Sequence, residues 1–162
     1  METMSKETHD SRPDTLAHIE RVQSLIQSAI SNLSCRAVKH DLSKLEEPEK
    51  SAFDRLKTLS LSGMAYGSAE YRGCLRAEKP AIQHHYEHNS HHPEYYPNGI
   101  EGMSLFDILE MLLDWKAATE RMKDGGDIVK SLAINTERFA ISPQLAGILA
   151  NTIYELQWAT KP

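Results

Sequence analysis

The sequence predicts an all-α fold, a single helical bundle of about seven helices. Two observations support this, and an absence adds to them. Apolar residues recur at helical intervals through most of the 162 residues, and hydroxyl, Asp and Pro residues stand where helices would begin. No stretch alternates apolar and polar residues with the period of a strand.

The first element is a long amphipathic helix. Ser11-Arg12-Pro13-Asp14 has the spacing of a capping box with Asp in place of Glu, ahead of Leu16, Ile19, Val22, Leu25, Ile26, Ala29, Ile30 and Leu33. His18 shares a stripe with Val22, Leu25 and Ala29, which points it at or beside the core. A lone histidine there is more often a satisfied core residue than a ligand. A second helix is expected over Arg36 to Leu45, with Val38, Leu42 and Leu45 on one side. On it His40 and Asp41 diverge by roughly 100°, so they could share an ion only in the wedge between them, with Lys44 overhanging from one turn on. Alone, such a pair reads as a surface dipeptide on a charged helix.

Pro48 suits the first turn of the next helix, whose apolar face is Ala52, Phe53, Leu56 and Leu59. Ser60 to Ser68, with two glycines, reads as a loop. A helix over Ala69 to Glu78 stops before Pro80, and the histidine-rich helix begins there. Tyr95 to Gly102 is turn-rich. Ser104-Leu105-Phe106-Asp107 is a second capping box, opening a helix from Leu105 to Met122 with Leu105, Ile108, Leu109, Leu112 and Leu113 as its apolar face. Asp107, Glu110 and Asp114 lie on a stripe close to that face. Such carboxylates usually mark a solvated face, but Asp114 sits between Leu113 and Trp115, and a buried carboxylate must be paired or bind a metal. Lys123 to Asp127 breaks the helix, Ile128 to Ile141 forms the next, and Ser142-Pro143 caps the last, which carries Leu145, Ile148, Leu149, Ile153, Leu156 and Trp158. Residues 1–12 read as a flexible polar segment and 13–160 as one domain.

The chemistry concentrates between His84 and Glu94, where five of the eight histidines fall. Imidazole can be neutral, proton-donating or metal-ligating near pH 7. On a helix His84 and His88 are one turn apart, and His85 and His92 two turns apart if the helix persists, although Pro93 disfavours helical geometry at His92. A surface role is the bland reading, but the run is internal and interrupted by Tyr, Asn and Glu, so it is no affinity tag.

Composition excludes several classes. A charge of -5 argues against wrapping extended nucleic acid, and no apolar run approaches the ~20 residues that span a membrane. The polar start has no secretory pattern, which points to the cytoplasm. Cys35 and Cys74 form no CxxC unit, so a zinc-thiolate site is not expected. No phosphate-cradling glycine loop and no GxSxG is present.

Four predicted helices thus offer His18, the His40-Asp41 pair, the histidine cluster and Asp114. That order resembles the HD superfamily of metal-dependent helical phosphohydrolases. His40-Asp41-Leu42-Ser43-Lys44 is similar to the HD-x-G-K form of HD-GYP phosphodiesterases and of the diiron oxygenases related to myo-inositol oxygenase, branches that add histidines and hold two metals. The string His40, His84-His85-Tyr86, Asn89, His91-His92-Pro93-Glu94 and Glu110 to Ala117 more closely resembles an uncharacterised family common in tailed phages and bacteria, over Leu16 to Thr152.

The resemblance implies an HD-like bundle with His18, His40, Asp41 and Asp114 as primary ligands and Asp41 bridging if two ions bind. One of His84 or His85, and one of His91 or His92, would complete a second ion. His85 and His92 are favoured because a two-turn spacing can put both on one face, and His88 is not required. Lys44 would polarise a phosphate or an activated oxygen, with His84, Asn89 and His91 toward the substrate; Lys44, Lys116 and Arg121 are the cations nearest in sequence to these ligands that could hold a phosphate. Imidazoles and carboxylates without thiolate suit one or two ions of Mn, Fe, Co, Ni or Zn. The expected function is hydrolysis of a phosphoester in a nucleotide or related small molecule, in the cytoplasm, of the host if phage-encoded, with a homo-oligomer left open. The alternatives are a diiron oxygenase using the same ligands, and a non-catalytic HD-like module that binds a nucleotide signal or a host protein.

Overall fold

The computed structural model describes residues 10–61, 68–122 and 126–161. The chain divides into two units, 1–40 and 41–162. The described residues form seven α-helices and no strand, as the sequence predicts. Of the segment expected to be flexible, 1–9 lies outside the described residues, as do 62–67 of the expected loop and 123–125 of the expected break.

The first unit is built on one helix, α1 (Arg12–Lys39). With no second helix among the described residues of its unit, α1 carries its apolar stripe on its surface and buries none of its residues, His18 included. The capping box expected at Ser11 does not form, because Ser11 is itself in helical geometry and its side chain makes no capping bond. Asp10 meets Arg12 instead, with its Oδ1 2.9 Å from the guanidinium Nε.

A second helix over Arg36 to Leu45 is not observed. α1 runs through Lys39, His40 caps it by donating its N–H to the Arg36 carbonyl, and Asp41 takes left-handed geometry at φ 57°, ψ 14°. A left-handed residue ends the ladder of i to i-4 bonds, and Asp is one of the few side chains that tolerate it. Leu42–Leu45 then forms a single 3-10 turn.

The second unit contains α2 (Glu49–Leu61), α3 (Ala69–Ala77), α4 (Lys79–His88), α5 (Leu105–Glu120), α6 (Ile128–Arg138) and α7 (Pro143–Glu155). α6 and α7 end a few residues before the apolar pattern does. Three starts are chemically marked. Ser104 and Asp107 form the predicted reciprocal capping box of α5, Asp127 accepts from the N–H groups of Val129 and Lys130 at α6, and Ser142 accepts from Leu145 at α7.

The main core joins α5, α6 and α7 through Leu112, Ile128, Leu132, Ile141, Leu149 and Ile153. Leu112 and Ile153 are fully buried, and each such side chain contributes about 1.5–3 kcal/mol. The rings of Trp115 and Phe139 stack at this core's edge. A smaller apolar group, Ala52 and Leu56 on α2 and Ala81 on α4, lies where those two helices pack. The buried side of α5 differs from the expected one. Leu105 and Leu113 are exposed, while Asp107, Met111 and Leu112 are buried, because Asp107 is drawn inward by hydrogen bonds.

Candidate metal centre

Pro80 occupies the first turn of α4, and the helix stops at His88, where Asn89 turns extended. The Asn89 amide donates back to the His85 carbonyl at 2.8 Å, satisfying an acceptor that the helix end would leave open. The chain then reverses, with the His92 N–H on the Asn89 carbonyl, and Pro93 opens the next short turn. His91 and His92 therefore stand beyond the helix, and the two-turn spacing expected for His85 and His92 does not exist. The pair meets all the same: the reversal brings their Nε2 atoms to 2.8 Å.

Four residues of the second unit converge. The ligand atoms of Asp41, His85, His91 and His92 all lie within 4.8 Å of one another. Nε2 of His85 and Nε2 of His91 are each 3.5 Å from Asp41 Oδ1. His85 and His91 are both 2% exposed, so this meeting point lies inside the protein. His91 thus stands in the cluster beside His92, the other histidine of its pair.

The remaining polar atoms of Asp41, His85 and His91 turn away from the meeting point onto further partners. Asp41 Oδ2 accepts from Lys44 Nζ at 2.5 Å, and that ammonium stands 5.2 Å from the centre of the Phe53 ring. Nδ1 of His91 faces Glu110 Oε1 at 3.3 Å. Nδ1 of His85 donates to Glu49 Oε2 and Nδ1 of His84 to Glu49 Oε1, both at 2.8 Å, and Ser43 Oγ adds a third donor to Oε2 at 2.9 Å. Asn89 Nδ2 in turn donates to Ser43 Oγ at 2.8 Å.

Electrostatics keep the two central imidazoles neutral. Burial, then the Lys44 charge, lowers the pKa of His85 against the opposing pull of Asp41 and Glu49. Burial, with His91 and His85 beside it, pushes His92 down to about 3, against Asp114 and Asp41. A neutral ring is the form that ligates a metal. Burial would raise Glu49, but the donors His84, Ser43 and His85 outweigh it and hold the carboxyl below its usual range.

Asp107 ties this region to α5. It is 2% exposed and accepts from Ser90 Oγ at 2.7 Å, from Tyr96 Oη at 2.9 Å, and from the N–H and hydroxyl of Ser104 at 2.9 and 2.6 Å. Burial pushes its pKa up, yet those donors hold the carboxyl well below the ordinary carboxylate value. Ser90 directly precedes His91, so this network fixes the turn that presents both histidines.

The other predicted residues are placed as follows. Asp114 is half-buried, and its charge reaches His92. His84 is on Glu49, and His88 is exposed, its Nδ1–H on the His84 carbonyl. Lys116 lies 2.9 Å from Glu120 and over the Trp158 ring, and Arg121 is exposed at the end of α5. His18 is exposed in the first unit, and His40 is the cap of α1, one peptide bond before Asp41.

The sequence reading missed Glu49, although a signal existed. Glu49, Ala52, Phe53 and Leu56 fall at i, i+3, i+4 and i+7, so this glutamate stands on the apolar stripe of α2. A charge in that position has to be partnered.

Fold and site together define an all-α protein with a buried cluster of imidazoles and a carboxylate, a donor set that fits a divalent transition metal. More particularly, the chain belongs to the family of unknown function DUF5662, whose profile matches residues 7–155. No curated protein and no solved structure matches it.

Proposed function

We propose that the chain is a metal-dependent phosphohydrolase acting on a nucleotide or related small phosphoester. The observation that supports this most is the meeting of Nε2 of His85, His91 and His92 with Asp41 Oδ1, brought together from three separate segments. Two ring nitrogens at 2.8 Å need a proton between them in the metal-free chain, and a cation can take that proton's place. Asp114, whose charge reaches His92, joins the proposed ligand set from the sequence.

An ion of Mn, Fe, Co, Ni or Zn would supply Lewis acidity, making water more acidic and neutralising charge on a phosphoryl oxygen. The chain's own residues do the rest. Asp41 turns one oxygen to the centre and keeps the other on Lys44, which holds an ammonium beside the centre for a phosphate oxygen. The HD-like order of His18, His40-Asp41 and Asp114 supports hydrolysis as the reaction.

The test is elemental analysis of untagged protein loaded with Mn(II) or Co(II), followed by a phosphoester panel under anaerobic conditions. The expected result is retained metal and turnover without O₂, both lost in Asp41→Asn and His92→Ala while the helical circular dichroism persists. Protein that retains no transition metal after loading overturns the proposal. Turnover that requires O₂ overturns the hydrolase in favour of an oxygenase.

A further inference from the structure

Glu49 is fully buried at the start of α2, and both of its oxygens are engaged by adjacent residues of α4, His84 and His85. Neighbouring side chains on a helix diverge by roughly 100°, so two that reach one carboxylate must have it between them. An ionised carboxylate only accepts, and the Asn89 amide, 3.0 Å from the same Nδ1, spends its two hydrogens on Ser43 Oγ and the His85 carbonyl, so the His85 proton is on Nδ1 and the lone pair on Nε2. That Nε2 is the atom facing Asp41 Oδ1 and His92 Nε2.

We infer that Glu49 is a positioning residue of the metal centre, fixing the tautomer and the ring direction of His85 so that its Nε2 is presented for ligation. This rests on the metal reading proposed above. His84 contributes by occupying Oε1, so that Oε2 remains turned to His85, and Ser43 holds Oε2 from the other side. A carboxylate behind a ligating imidazole sets the tautomer and raises the ring's basicity, and its removal typically costs about 10- to 100-fold in metal affinity. Gln in this place keeps the shape but puts an NH₂ donor where one of the two imidazoles, each on its own oxygen, now meets an acceptor.

The experiment has two readouts on wild type, Glu49→Gln and Leu132→Ala, a core variant of α6 that controls for lost stability. ¹⁵N NMR of the metal-free protein reports the His85 tautomer, and Co(II) titration followed by visible absorption reports affinity. Wild type is expected to show His85 protonated on Nδ1. Glu49→Gln is expected to mix tautomers and bind Co(II) about 10- to 100-fold more weakly. Leu132→Ala should melt lower yet bind Co(II) as wild type does. If Glu49→Gln does not fold, wild-type NMR alone decides: a His85 proton on Nε2 overturns the inference. Unchanged affinity and tautomer in folded Glu49→Gln overturn it too, whereas wild type that takes up no Co(II) overturns the metal reading itself.

Discussion

Replacing Asp107 by Ala removes an acceptor that serves four donors, each within 2.9 Å, at a site 2% exposed to solvent. A hydrogen bond to a charged group contributes about 1.5–3 kcal/mol, but four on one carboxylate are not additive, since the Ser90, Tyr96 and Ser104 hydroxyls can rotate to other acceptors. The partners left behind are neutral, so the cost of leaving a buried donor without an acceptor, about 1–3 kcal/mol, is the better guide. In a chain of this size each kcal/mol shifts Tm by about 2–4 °C, so the variant should melt roughly 2–12 °C lower. The pH dependence has a definite sign. Asp107 titrates below its unfolded value of about 3.9, so its stabilisation is fully present above that pH and is lost as pH falls toward the folded value. Urea denaturation from pH 7 down to pH 3 should show the gap between wild type and variant constant above about pH 5 and shrinking below about pH 4. A gap below about 1 kcal/mol at pH 7, or one that widens on acidification, would refute the reasoning.

Two further predictions concern other parts of the second unit. A β-carbon on Gly102 would meet the Asn98 side chain and stand 2.7 Å from Tyr96 Cβ, so Gly102→Ala should lose about 1–3 kcal/mol by forcing Tyr96 aside, and an unchanged melting temperature would count against that packing. Arg55 meets Glu78 through two hydrogen bonds, but its side chain is 58% exposed, so Arg55→Ala should cost less than about 1 kcal/mol in chemical denaturation, and a loss above about 2 kcal/mol would contradict it.

What the sequence disclosed depended on whether the information was local. The Ser104 to Asp107 box and the Ser142 cap are local, and both form. The similar spacing at Ser11 does not, because a spacing cannot show that the cap residue has left helical geometry. The helix expected over Arg36 to Leu45 failed for a related reason: its apolar spacing is helical, but Asp41 adopts a left-handed conformation that only the tertiary setting reveals. The pairing of His85 with His92 was anticipated from a continuous helix and arises from a chain reversal, a coincidence of reach between two geometries. Glu49 escaped notice because its imidazole partners are 35 and 36 residues away, and only its place on an apolar stripe marks it.

The bend at Asp41 sets two requirements at a single position. The backbone there asks for Gly, Asn or Asp, while the cluster asks for an anionic oxygen at a fixed reach. Glycine would satisfy the first alone, and glutamate would keep the charge while straining the corner and displacing the oxygen. Asparagine keeps the corner and removes the charge, so Asp41→Asn isolates the electrostatic contribution, whereas Asp41→Ala would register a distorted chain path and a missing ligand at once.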